Sequence, residues 1–391
     1  MFRERTTFVI GAGASAEFGM PVGSELAKNI KQSALLRNIG HRNPDVGDNT
    51  LYDTVTRLWP NSVDRTKSLK AARDINEGVH TAVSIDAFID RFADDPDIAI
   101  MGKMLIALEI AKAEAESSMA PEYWPRLEET PWLSPINAKG KNLTNPDDTW
   151  IGHFFRILCD GIKDASDLGK NITVICFNYD RCIEYYLRKQ ISAAYRISLV
   201  KAHEIVLGMN IIHPYGTLGE LPVNESGYGD GLLAFAPARD NYFRLEKIAE
   251  NIRTYTEQQH EPGMIKKIHD AIAHSGVLAF LGFGFNNQNL DLLRVSHLDE
   301  YGELFPRNIY SSGHGIAQQV DTTIKRRILH LLFQEQDKHH QSASRVHIEY
   351  GQTCRELFNT HSMNLSAFTR AYFVEAGQNK SQRVLIGSRE D

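Results

Sequence analysis

Residues Thr6–Ala16 constrain the fold more than any other stretch of this chain. Thr6–Ile10 is a short run of β-branched and aromatic residues that passes directly into Gly11-Ala12-Gly13. A short apolar run closed by glycine reads as a buried parallel strand. From Ser15 to about Gln32 the sequence has helical character. Gly11, Gly13 and Ala16 fit the pattern G-x-G-x-x-G/A, placed between a strand and a helix. There the first glycine makes a tight turn, and the second lets backbone approach a pyrophosphate. The helix N-terminus adds free N–H groups and a partial positive charge. The alternative is a purely structural turn.

The rest of the chain supports an α/β reading. Strands are expected at 171–177, 209–213, 277–281, 308–312 and 345–350, most of them separated by helices. With Thr6–Ile10 they make six, the pattern of a doubly wound, mostly parallel, Rossmann-like sheet. Between about 35 and 150 no strand is evident. Ile85, Phe88, Ile89 and Phe92 form a helical stripe, and Ile98–Ser117 is a helix rich in Ala, Leu, Glu and Lys. Pro121, Pro125, Pro131 and Pro135 mark an irregular connection. The expected organisation is a catalytic sheet domain (1–34 and 151–375), an inserted helical module (35–150) and a C-terminal tail (376–391).

Composition narrows the function classes. A net charge of −6 over 391 residues argues against a nucleic-acid binder. Cys159, Cys176, Cys182 and Cys354 make no C-x-x-C pair, so no zinc ribbon is encoded and reduced thiols are expected. The N-terminal apolar run is too short for a signal peptide, and no stretch approaches a membrane span. A cytoplasmic protein that uses no metal is the expectation. An ordinary dehydrogenase also carries an acid on a second strand about 20 residues after the glycines. Here Asn29–Leu36 reads NIKQSALL and offers none, which counts against hydride transfer.

Ligands of such sheets bind outside the carboxyl ends of the strands. The expected strand ends carry Asn178-Tyr179-Asp180, His213-Pro214-Tyr215-Gly216, Gly282-Phe283-Gly284-Phe285-Asn286-Asn287 and Ser311-Ser312-Gly313. Each has an ordinary structural alternative: Asn178 or Asp180 as a helix cap, His213 as a surface histidine, the glycines as turns. Ser84-Ile85-Asp86 opens a helix of the module. Asp86 either caps it or reaches the site.

Taken together, GAGAS at 11–15, NYD at 178–180, the turn at 213–216, GFGFNN at 282–287 and SSG at 311–313 resemble the sirtuin family in order and spacing. The resemblance covers about 1–30 and 170–360. It implies that Gly11, Ala12, Gly13 and Ser15 bind NAD phosphates. Asn178 and Asp180 would lie by the nicotinamide and its ribose, with His213 as the base. Gly282, Phe283, Asn287, Ser311 and Gly313 would hold the adenosine half. Without a zinc ribbon the chain looks like the bacterial sirtuin-like NAD hydrolases of anti-phage defence, which act by depleting NAD. That layout implies self-assembly and a HerA-type ATPase partner, or an Argonaute-type protein in its place.

The chemistry suits those residues. Nicotinamide leaves NAD neutral, so no general acid is needed. Asn and Asp can hold the carboxamide and orient water, and a neutral histidine can take a proton. The expected activity is therefore NAD glycohydrolysis to nicotinamide and ADP-ribose. The alternatives are a deacylase or ADP-ribosyltransferase using the same site, and a non-catalytic nucleotide-binding scaffold.

Overall fold

A computed structural model describes residues 1–2, 4–36, 47–120, 143–223, 232–237, 244–259, 261–295, 308–332 and 343–366. The expected tail at 376–391 and the proline-marked connection at 121–135 lie outside these residues.

The fold is α/β. Six strands, β1 (Thr6–Ile10), β2 (Ile172–Cys176), β3 (Asn210–Ile212), β4 (Val277–Leu281), β5 (Asn308–Gly313) and β6 (Val346–Tyr350), form one sheet. Every pairing is parallel and the order is β3-β2-β1-β4-β5-β6. This is the doubly wound order, in which the chain reverses direction across the sheet between β1 and β4. All five residues of β1 and of β4 are buried, so both faces of the sheet centre are covered. That explains why these strands read as continuous apolar runs rather than alternating ones.

The register corrects one expectation. The strand beside β1 is β2, with Thr6 opposite Ile172 and Ile10 opposite Cys176. The second strand is therefore present, displaced by the insertion, and an acid, Asp180, follows it. The absence of an acid near residue 30 carries no weight against hydride transfer.

The first helix is also shorter than its sequence suggests. After Gly11 come only α1 (Ala12–Ser15) and a 3₁₀ turn over Ala16–Phe18. Gly19, at φ 89°, ends that turn, and Pro21 precedes α2 (Gly23–Ser33). A left-handed glycine followed by proline stops a helix, whatever the propensity on either side.

The inserted segment is helical where it is described: α3 (Asn49–Leu58), α4 (Ser62–Gly78), α5 (Ile85–Arg91) and α6 (Pro96–Glu116). Asp95 accepts from Asp97 N and Ile98 N, and Pro96 opens α6 without losing an intrahelical bond. α6 is buried on nearly all sides and packs against α2 and α4. Its apolar residues join those of the sheet in one continuous core. α7 (Trp150–Cys159) then leads to β2, α8 (Cys182–Tyr195) follows it, and α9 (Leu199–Leu207), which the sequence reading missed, precedes β3. No described helix is long and apolar enough to cross a membrane.

Candidate functional site

The carboxyl ends of β1, β2, β4 and β5 converge on a cavity of about 890 Å³. This volume is in the range of small-molecule and cofactor sites. The cavity opens at the point where the strand order reverses.

The glycine loop is locked to the loop after β4. Gly11 N donates to Leu281 O at 2.9 Å, and Gly13 N donates to Gly282 O at 3.0 Å. A Cβ on Gly11 would lie 2.6 Å from Gly282 O, and one on Gly13 would lie 2.8 Å from Gly282 Cα. Gly282 itself has φ +56°, and a Cβ there would fall 2.0 Å from Ala14 N. These glycines are required by backbone packing against backbone. Gly284 and Gly315 differ. Both line the cavity, and a Cβ on either would meet no close neighbour. Close approach of a ligand is therefore available at Gly284 and Gly315 rather than at Gly13.

Asn178, Asp180 and Ser15 form the support beneath this loop. Asn178 Nδ2 donates to Ser15 Oγ at 2.8 Å and to Gly11 O at 3.1 Å. Asp180 Oδ1 accepts from Cys182 N at 3.2 Å, capping α8. Burial lifts the Asp180 carboxyl above its usual range, against the hydrogen bonds from Cys182 and Ser15. All three residues line the cavity, with Ala12 beside them. Trp150 closes the far side, donating Nε1–H to Ala14 O at 2.9 Å.

The helical module reaches the same cavity. Ser84 Oγ accepts from Ala87 N and so takes the capping role at α5. Asp86 turns toward the sheet, where its Oδ1 accepts the Tyr179 hydroxyl. Burial raises the Asp86 carboxyl above its ordinary value, and the Tyr179 bond offsets this in part. Tyr215 lines the cavity next to Tyr179, with ring centroids 6.2 Å apart, and its hydroxyl donates to Asn289 Oδ1 at 2.8 Å. Near the end of α6, Glu114 forms a buried bidentate pair with Arg181 of the loop after β2, with side chains 0% and 2% exposed. The Arg181 guanidinium also donates to Leu233 O and Ala234 O.

His213 is not where its expected role requires. It does not line the cavity. Its ring is held behind Asn178, with Nδ1 3.0 Å from Asn178 O and Nε2 2.7 Å from Glu184 Oε1. It borders instead a smaller cavity of about 350 Å³ on the β3 side. Burial works against the imidazolium, but the Glu184 carboxylate, with Cys176, outweighs it and holds the ring well above 6.5. A ring tied at both nitrogens, with a carboxylate favouring its charged form, is not the free neutral base the sequence leads one to expect. The reason is local: Gly216 N donates to His213 O, and that turn presents Tyr215 to the cavity.

Three residues expected at the adenosine side are likewise displaced. Asn287 is exposed and accepts from Arg327, while Asn286, Gln288 and Asn289 line the cavity. Ser311 is fully buried and bonded to Ser312 O, while Ser312 lines the cavity and accepts from Gly282 N at 2.8 Å. Gly313 is packed against Glu349 and Tyr350, and His314, Gly315 and Ile316 face the cavity in its place. Gly282 and Phe283 do line it, with the Phe283 ring packed edge-on or tilted against Phe177, Phe280 and Phe285.

The charge of the lining is one-sided. Among the described residues it carries the carboxyls of Glu17, Glu25, Asp86 and Asp180, and no lysine or arginine. Among those residues, too, no three His, Cys, Asp or Glu side chains are arranged to hold a metal ion. The four cysteines are free thiols. No protein-family model and no curated protein sequence matches this chain.

Proposed function

We propose that this chain binds NAD in the cavity at the strand-order reversal and hydrolyses its nicotinamide–ribose bond. The observation that carries this reading is the pairing, in one cavity, of glycine-rich backbone with Asp180 at the end of β2 and Asp86 beside it. The glycine side suits a diphosphate, which backbone can approach at Gly284 and Gly315. The β2 side suits the other half of NAD. The nicotinamide ring is cationic, and its departure leaves positive charge on the ribose. Carboxylates preorganised beside that charge stabilise it as it develops. Water forms the new bond to C1′. The C1′–N bond breaks with its electron pair going to the ring nitrogen, so neutral nicotinamide leaves and one proton must be accepted.

The wider role rests on the sirtuin-like resemblance alone. It makes this activity an effector of anti-phage defence in a self-assembling chain, with a HerA-type ATPase, or an Argonaute-type protein, as partner. A deacylase or ADP-ribosyltransferase would instead release nicotinamide only when an acceptor is supplied.

A second reading is favoured by one observation. The Asn178 amide is engaged with Gly11 and Ser15, and His213 is turned away from the cavity. A nucleotide-binding subunit without turnover would need no more than this. The deciding experiment is a time course of NAD and nicotinamide with the purified chain and with Asn178→Ala, alongside calorimetric NAD binding. Hydrolysis by wild type and its loss in the variant support the first reading. Tight binding with intact NAD supports the second.

A further inference from the structure

With His213 outside the cavity, the proton released by the attacking water needs another acceptor. Four carboxyls line the cavity. Glu17 accepts from Trp150 N and Arg355 N, Glu25 accepts from Val22 N, and Asp180 accepts from Cys182 N. These three tie backbone together. Asp86 is placed differently. Its capping duty is taken by Ser84, and its Oδ1 meets the hydroxyl of Tyr179, the residue between Asn178 and Asp180. α5 is pinned over this point. Ile85, Phe88 and Ile89 are buried on its inner side. At its far end Asp90 accepts from Thr256 and from Gln288 Nε2.

We propose that Asp86, carried into the site by the inserted helical module, accepts the proton of the attacking water, and that Tyr179 positions its carboxylate. The module is thereby a working half of the site. This inference rests on the NAD-hydrolysis reading. In the step, the water oxygen bonds to C1′ as the C1′–N bond breaks toward nicotinamide. The water's proton passes to Asp86 and then to bulk solvent, so NAD⁺ and water give ADP-ribose, nicotinamide and H⁺. Burial, which lifts the Asp86 carboxyl, moves it in the direction a base working near neutrality needs.

The test measures nicotinamide release, NAD binding by calorimetry and thermal unfolding for full-length wild type, Asp86→Asn and Tyr179→Phe. Asp86→Asn is expected to lower kcat by about 100-fold or more. NAD affinity should change by less than about threefold, and the melting temperature should hold or rise, because a neutral amide avoids burying a charge. Tyr179→Phe removes a bond that favours the ionised carboxyl, so the acid limb of its kcat–pH profile should move to higher pH. Wild-type turnover in Asp86→Asn, or a loss of affinity in place of turnover, overturns the assignment. So does an unshifted profile in Tyr179→Phe, which still tests it if Asp86→Asn does not fold. If wild type binds NAD and releases no nicotinamide, it is the hydrolysis reading that fails.

Discussion

At the residue scale, the same amino acid does different work within a few positions. Gly282 and Gly284 are two residues apart in one loop. Gly282 holds φ +56° with Ala14 N 2.0 Å from where a Cβ would be; a Cβ on Gly284 would meet only the Asn286 side-chain amide, at 3.8 Å. Gly282→Ala is therefore expected to cost about 2 kcal/mol or more, from left-handed strain and the displaced glycine loop. Gly284→Ala should stay within about 0.5 kcal/mol of wild type yet weaken nucleotide binding. Denaturant melts with NAD titrations on both variants check the contrast, and equal destabilisation would refute it. His213 gives a second prediction. Its folded pKa is raised above 6.5, so the stability it contributes is complete below that value and is lost as pH rises through the folded pKa. Glu184 is lowered below 4.5, so its contribution is complete above 4.5 and is lost as pH falls through the folded value. Removing one partner of a largely buried pair costs about 3 kcal/mol. The stability gap between wild type and His213→Ala should therefore be widest near pH 5.5 and narrow by pH 9. A gap that widens toward pH 9 is the contrary result.

At the scale of elements, the six strands were legible because buried parallel strands are short apolar runs with glycine or asparagine at their ends. The loops of the site were legible for the same reason. Which residue of each loop faces the cavity was not. Ser311 and Ser312 are neighbours in β5, and successive strand residues point to opposite faces, so one position separates a core hydroxyl from a site hydroxyl. Likewise Asn287 and its neighbours divide between solvent and cavity on α10 (Asn287–Leu293) and its cap, and the turn at 213–216 exchanges His213 for Tyr215. The contacts made by the insertion were illegible for a different reason. Glu114 and Arg181 are 67 residues apart, and no local pattern announces that they meet. This pair joins α6 to the loop after β2, with burial raising the Glu114 carboxyl and Arg181 opposing that rise. Glu114→Ala leaves a guanidinium buried without its carboxylate and is expected to cost about 3–5 kcal/mol. A Glu114→Leu, Arg181→Met double variant should recover most of it, since well-packed apolar groups can replace a buried pair. A double variant no more stable than Glu114→Ala, in urea melts, would show that the other bonds of Arg181 matter more than the pair.

At the scale of the molecule, the strand order places one crevice between β1 and β4, and the inserted helices form its outer wall. The module and the sheet share one apolar core, so buried side chains join the wall to the floor. Charge then determines what the crevice prefers. The chain is acidic overall, at −6, and the described lining carries four carboxyls and no lysine or arginine. No lysine or arginine of the described lining is therefore available to pair with a phosphate. The ring of NAD⁺ is positive and that of NADH is neutral, while their phosphates are identical. A carboxylate near 4 Å from the ring contributes roughly 4 kcal/mol at an effective dielectric of 20, before desolvation offsets part of it. The net preference for NAD⁺ over NADH is expected to be about tenfold or more, or ~1.4 kcal/mol. It should shrink toward unity in an Asp180→Asn variant whose fold is shown intact by its melting curve. Calorimetric titration of both nucleotides against both proteins measures this directly. Equal affinity for NAD⁺ and NADH in wild type would place the ring away from the carboxyls and leave the glycine loops as the whole of the recognition.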